Sequence, residues 1–71
     1  MAMKDWEKQR ENKNLVTWTN QVKRGELLEI NQRSDGKWRV VFIENNEVDV
    51  LKQGISKSQA LAFARSYMRN H

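Results

Sequence analysis

The stretch that most constrains the fold is the C-terminal "SKSQALAFARSYMRN" of residues 56–70. Ser56 and Gln59 are spaced as a capping box, in which each side chain satisfies a backbone N–H at the helix start. At 100° per residue, Ala60, Leu61, Phe63, Ala64, Tyr67 and Met68 fall within an arc of roughly 160°. Ser58, Ala62, Arg65, Ser66 and Arg69 take the other side. One helix with one apolar stripe must bury it, and in a chain of 71 residues with no second such stripe the partner has to be a sheet.

The segments upstream have a two-residue period. In "LVTWTNQ", Val16 and Trp18 alternate with Thr17 and Thr19, and "LLEINQR" and the more apolar "KWRVVFIE" follow as further strands. Gly25 suits a left-handed turn position between the first two. Ser34, Asp35 and Gly36 suit a three-residue hairpin loop with a bulge. Asn45 and Asn46 stand where a two-residue loop needs positive φ, so "EVDVL" reads as a fourth strand. The expected fold is α+β: an antiparallel β-meander of three to four strands with one C-terminal helix packed across one face. Residues 14–71 form that single domain. Residues 1–13 are a charged segment, a tail or a short helix docking through Trp6.

Parity along the strands divides the sheet. Val16, Trp18, Leu28, Ile30, Trp38, Val40, Phe42, Val48 and Val50 are expected to face the helix. Leu15, Leu27, Glu29, Asn31, Arg33, Lys37, Arg39, Val41, Ile43, Asp49 and Leu51 are expected on the other side. Leu27, Val41, Ile43 and Leu51 make that second face too apolar to stay wet. Trp6, a second copy of the chain or another protein is expected to cover it.

Charge is unevenly spread. All nine acids lie within residues 1–51, where nine Lys and Arg balance them, and the net charge of +4 comes from Lys52, Lys57, Arg65 and Arg69. There are no cysteines, so disulfides and thiolate metal sites are excluded. No apolar run reaches the roughly 18 residues of a membrane span, and "MAMKDWEKQREN" lacks the apolar stretch of a signal peptide. The expected protein is soluble and cytoplasmic, without a membrane partner.

Chemistry that needs a positioned base finds no support, because the one histidine is the terminal His71. Glu44, Glu47 and Asp49 cluster near the last hairpin but lack the Asp-rich loop and central Gly of a calcium motif. No Gly-rich loop leads from a strand into a helix, so no phosphate-loop nucleotide site is expected. The expectation is a non-enzymatic domain without cofactors or metals.

Two kinds of binding remain. Arg33, Lys37 and Arg39 share one hairpin and one face, and a two-stranded ribbon can enter a major groove and contact phosphates. Arg65 and Arg69 are a second cationic stripe on the helix. The same residues also fit plain folding, as the wet positions of a strand and as cations near a helix C-terminus. Trp18 and Trp38 sit on the core side, where packing explains them better than base stacking.

From Ile30 to Met68 the chain resembles a known plan. "INQRSDGKWRVVFIENNEVDVL" followed by "ISKSQALAFA" is similar to the three-strand-plus-helix plan of the plant ethylene-response-factor DNA-binding domain and related integrase-type sheet domains. Small uncharacterised prokaryotic domains share that plan. The resemblance implies DNA reading by the sheet face away from the helix, and Arg33 matches one of the arginine positions that read it. At Val41 and Ile43 this chain has apolar groups where the family has polar contacts, and Asp35 replaces a turn tryptophan. Nucleic acid, DNA or RNA, bound mainly through phosphates at Arg33, Lys37 and Arg39 is therefore the leading expectation. The alternative is a protein-interaction or homodimerising module that uses Trp6, Leu27, Val41, Ile43 and Leu51.

Overall fold

The structure, a computed structural model, describes residues 5–70; Met1, Met3 and His71 lie outside the described residues. Five strands form one antiparallel sheet in the order β1-β2-β3-β4-β5: β1 Trp6–Asn12, β2 Leu15–Asn20, β3 Glu26–Gln32, β4 Trp38–Glu44 and β5 Glu47–Ile55. The helix α1, Lys57–Asn70, follows. The α+β meander with a C-terminal helix is as expected, but it has five strands rather than three to four. The added strand is the charged N-terminal segment. As an edge strand β1 leaves nearly all its side chains in water, so its sequence needs no apolar alternation; backbone pairing with β2 and one buried anchor, Trp6, hold it in place.

Local chemistry fixes the turns. Gly36 takes φ 86°, its N–H reaching the Arg33 carbonyl at 3.0 Å, while Arg33 N–H closes the hairpin on the Lys37 carbonyl at 2.7 Å. Asn45 and Asn46 take φ of 52° and 72°, the left-handed pair of a two-residue hairpin. The capping box forms as spaced: Gln59 N–H donates to Ser56 Oγ at 3.2 Å, and Ser56 N–H donates to Gln59 Oε1 at 3.0 Å.

On one side of the sheet, Val16, Leu28, Ile30 and Val40 are fully buried beneath Ala60, Ala64 and Met68 of α1. Leu61, Phe63 and Tyr67 pack at the border of this cluster, so the buried stripe of the helix is the one its periodicity predicts. Trp6, Trp18 and Trp38 belong to the same core. Lys57 Nζ lies 5.4 Å from the centre of the Trp38 ring, within cation–π range.

Strand β5 departs from expectation. The two-residue loop sets Glu44 opposite Glu47, which places Ile43 opposite Val48 and Val41 opposite Val50. Residues directly opposite share a face. Val48 and Val50 therefore lie away from the helix, and Leu51 packs against the core, the reverse of the predicted assignment. Two register shifts follow in β5. In the second, Gly54, at φ 74°, is the extra residue between Gln53 opposite Arg39 and Ile55 opposite Trp38.

Trp6 generates a stability test. It is 7% exposed, and its Nε1 has no hydrogen-bond partner among the described residues. A buried donor left unpaired costs about 1–3 kcal/mol, whereas the ring supplies apolar volume. Trp6→Phe is expected to unfold in urea within about 1 kcal/mol of the parent, because it removes the orphan N–H along with some volume. Trp6→Ala should lose about 3–5 kcal/mol. Equal losses for the two variants would show that a phenyl ring cannot replace the indole in this site.

Candidate functional site

The face of the sheet away from α1 carries the candidate site. Cross-strand pairing arranges it in rows. Glu7, Thr19, Leu27, Ile43 and Val48 form the row nearest the β2–β3 and β4–β5 turns. Arg10, Thr17, Glu29, Val41 and Val50 form the middle row. Asn12, Leu15, Asn31, Arg39 and Gln53 form the third, and beyond it Arg33 and Lys37 face each other at the β3–β4 turn.

The two ends of this face differ in chemistry. At one end Leu27 and Ile43 are half-buried, Val48 is 61% exposed and Val50 is 46% exposed. Val41 between them is only 3% exposed, though α1 lies on the opposite side. A groove of about 670 Å³ opens here over Thr19, Leu27 and Ile43, with Arg24, Asn45 and Asn46 on its rim. Both Gln9 Nε2 and Gln21 Nε2 donate to Thr19 Oγ1, at 3.0 and 2.9 Å, so this hydroxyl is held by its neighbours.

At the other end the polar groups are ordered by one another. Arg39 Nε donates to Asn31 Oδ1 at 3.0 Å, and Asn31 Nδ2 donates to Glu29 Oε2 at 2.7 Å. Arg33 Nη1 donates to Gln53 Oε1 at 2.9 Å. Each arginine is thus positioned by an amide oxygen, which fixes its direction without neutralising its charge. Among the described residues the one ion pair is Lys8 with Glu11, at 3.0 Å on the exposed edge strand. Among the described residues Arg33, Lys37 and Arg39 have no carboxylate within ion-pair distance.

The predicted site residues are therefore only partly brought together. Arg33, Lys37 and Arg39 share the open face, as do Leu27, Val41 and Ile43. Arg65 and Arg69 are exposed on the outer side of α1, with the sheet between them and the hairpin cations, so the two groups do not form one surface. Trp6 is in the core and does not cover the open face; Leu51 is half-buried against the core. Both leave the predicted interface for the same reason, their side of the strand. Val48 and Val50 take their place, and the two-residue Asn45–Asn46 loop was the signal that pointed to them. Arg10 and Arg24 were also missed, because the charged strand and the first turn offered no parity to place them.

Behind this face, on the helix side, Glu26, Glu44 and Glu47 stand opposite one another on β3, β4 and β5, with Asp49 next along. The Tyr67 ring packs beside Phe42, centroids 5.5 Å apart. Burial holds the Tyr67 phenol above its ordinary value of 10.0, and Glu26, Glu44 and Asp49 add to the shift. Among the described residues no group of His, Cys, Asp and Glu is arranged to hold a metal ion, and no helix is long and apolar enough to cross a membrane.

No protein-family model, no curated protein and no solved structure matches this chain. The likeness to the ethylene-response-factor plan rests on the sequence from Ile30 to Met68 alone.

The Tyr67 site predicts a pH dependence. The unfolded chain releases this proton near 10 and the folded chain higher, so stability is lost as pH rises above 10. Ultraviolet titration should show the tyrosinate forming above 10. Glu44→Gln should lower the midpoint part-way, because burial, the larger cause, remains. A midpoint unmoved by Glu44→Gln would remove Glu44 as a cause.

Proposed function

We propose that this chain is a non-enzymatic protein-binding module and that the open sheet face is its working surface. One observation carries the reading: Leu27, Val41, Ile43, Val48 and Val50 form a contiguous apolar patch on a sheet whose helix lies on the other side. Exposed apolar residues scattered singly are ordinary, but a contiguous patch rimmed by polar groups is a common mark of an interaction site. Trp6, the internal group expected to cover this patch, is committed to the core. The arrangement offers area and fixed polar anchors.

Crosslinking tests it. A photoreactive side chain at Val48 should form covalent adducts with protein in a cell extract, and Ile43→Asp should suppress them. The same group at Arg65, on the outer helix, is the control and should stay unreacted. Val48→Asp alone should leave stability within about 0.5 kcal/mol, since the position is exposed. Equal adducts from both positions would remove the open face from the account.

A second reading, nucleic-acid binding, is favoured by the three hairpin cations that share one face with no carboxylate partner among the described residues. Its test is a titration with mixed duplex and single-stranded nucleic acid at two salt concentrations. Affinity should fall steeply with salt, and replacing Arg33, Lys37 and Arg39 with alanine should flatten the dependence by about one unit of slope for each phosphate no longer neutralised. Unchanged binding in that variant would take these residues out of the reading.

A further inference from the structure

The charge on the open face narrows what can cover it. Five cations, Arg10, Arg24, Arg33, Lys37 and Arg39, stand on the face or at its rim; Glu7 and Glu29 share the face, Asp35 lies in the turn between Arg33 and Lys37, and Glu26 lines the groove beside Arg24. Glu29 is already engaged by Asn31. Glu44, Glu47 and Asp49 turn to the helix side. At the β3–β4 turn Arg33, Lys37 and Arg39 still outnumber Asp35, so two copies that brought these ends together would set like charge against like, and a partner carrying carboxylates there would not. Nucleic acid would match the cations but would place no apolar groups against Leu27, Ile43, Val48 and Val50.

We propose that the occupant of the open face is an acidic amphipathic segment of a partner protein, laid along the strand direction. Its apolar side chains cover Leu27, Ile43 and Val48, and its carboxylates meet Arg39, Arg33 and Lys37. The inference rests on the protein-binding reading and adds the chemistry and spacing of the partner. Ile43 and Arg39 are four residues apart on β4, about 13 Å, and Lys37 is two further, about 20 Å, at 3.3 Å per residue. A matching segment separates its apolar and acidic groups by the same span. That is about four to six residues if it is extended, or about nine to thirteen if it is helical at 1.5 Å per residue. The amide oxygens that aim Arg33 and Arg39 reduce the ordering needed when a carboxylate arrives, and a guanidinium can take it with two parallel N–H donors.

The experiment uses the full chain, isotope-labelled for amide shift mapping, and three probes. One is a synthetic peptide with a leucine block and a glutamate block set at this spacing; the second replaces its glutamates with lysines; the third is a short DNA duplex. The glutamate peptide should shift amides of β3, β4 and β5 and bind at least about tenfold tighter than the lysine peptide. The difference should shrink with salt and be lost in Arg33→Glu/Lys37→Glu. Val48→Asp, at an exposed position, should weaken binding without unfolding the chain.

Equal binding of both peptides at this face overturns the acidic partner while leaving the protein-binding reading in place. Binding of the duplex with silence from both peptides overturns both. Sedimentation showing that copies of the chain cover the face also overturns the acidic partner. Silence from all three probes, with the face uncovered, counts against it equally.

Discussion

The close seat of α1 on the sheet sets the terms for everything else. Ala60 and Ala64 project little, so the helix backbone approaches Leu28, Ile30 and Val40 closely, and Met68 fills the far end of the contact. A helix is about 10–12 Å wide with its side chains and strands are about 4.8 Å apart, so one helix covers about three strands. Five strands exceed that width. Trp18 and Trp6 on β2 and β1 supply the bulk that the helix does not reach, and they extend the core to the edge of the sheet.

The same limit leaves the other face bare. Covering it would take a second helix, and the described residues contain one helix. The segment Trp6–Asn12 is used to widen the sheet. Widening adds two opposed properties: more backbone pairing for the fold, and more sheet surface with none of the described residues across it. Thr17, Thr19 and the Glu29–Asn31–Arg39 series make part of that surface tolerable in water. Val48 and Val50 do not.

Turn chemistry and helix periodicity were legible because each depends on a few adjacent residues. Ser56 with Gln59, Gly36 after Ser34 and Asp35, and the Asn45–Asn46 pair all did what local sterics and hydrogen bonding require. The β1 strand was not legible, since "WEKQREN" has no strand period, and the bulge between Lys8 and Arg10 breaks the little alternation it has. Its structure comes from pairing with β2, which only tertiary contact supplies. For β5 the information was present but misread: "EVDVL" offers an apolar residue to either face, and only the loop length decides which. Of the candidate site, Arg33, Lys37, Arg39, Leu27, Val41 and Ile43 followed from parity. Val48 and Val50 followed from register, and Arg24 from a groove that forms only when two distant turns meet.

The separation of charge along the strands has a kinetic meaning. Lys13, Arg33, Lys37 and Lys57, with Asp35 among them, gather where the helix begins, and Glu26, Glu44, Glu47 and Asp49, partly offset by Lys23, Arg24 and Arg69, gather around its last turns. The positive end of the helix dipole points the same way as the cations, so the side-chain and backbone fields add. A molecule built this way carries a permanent moment. In the field of an anionic surface it turns before it touches, presenting the β3–β4 turn first, and the torque fades within a Debye length, about 8 Å at physiological ionic strength. Its orientation on arrival is set in solution, ahead of any contact.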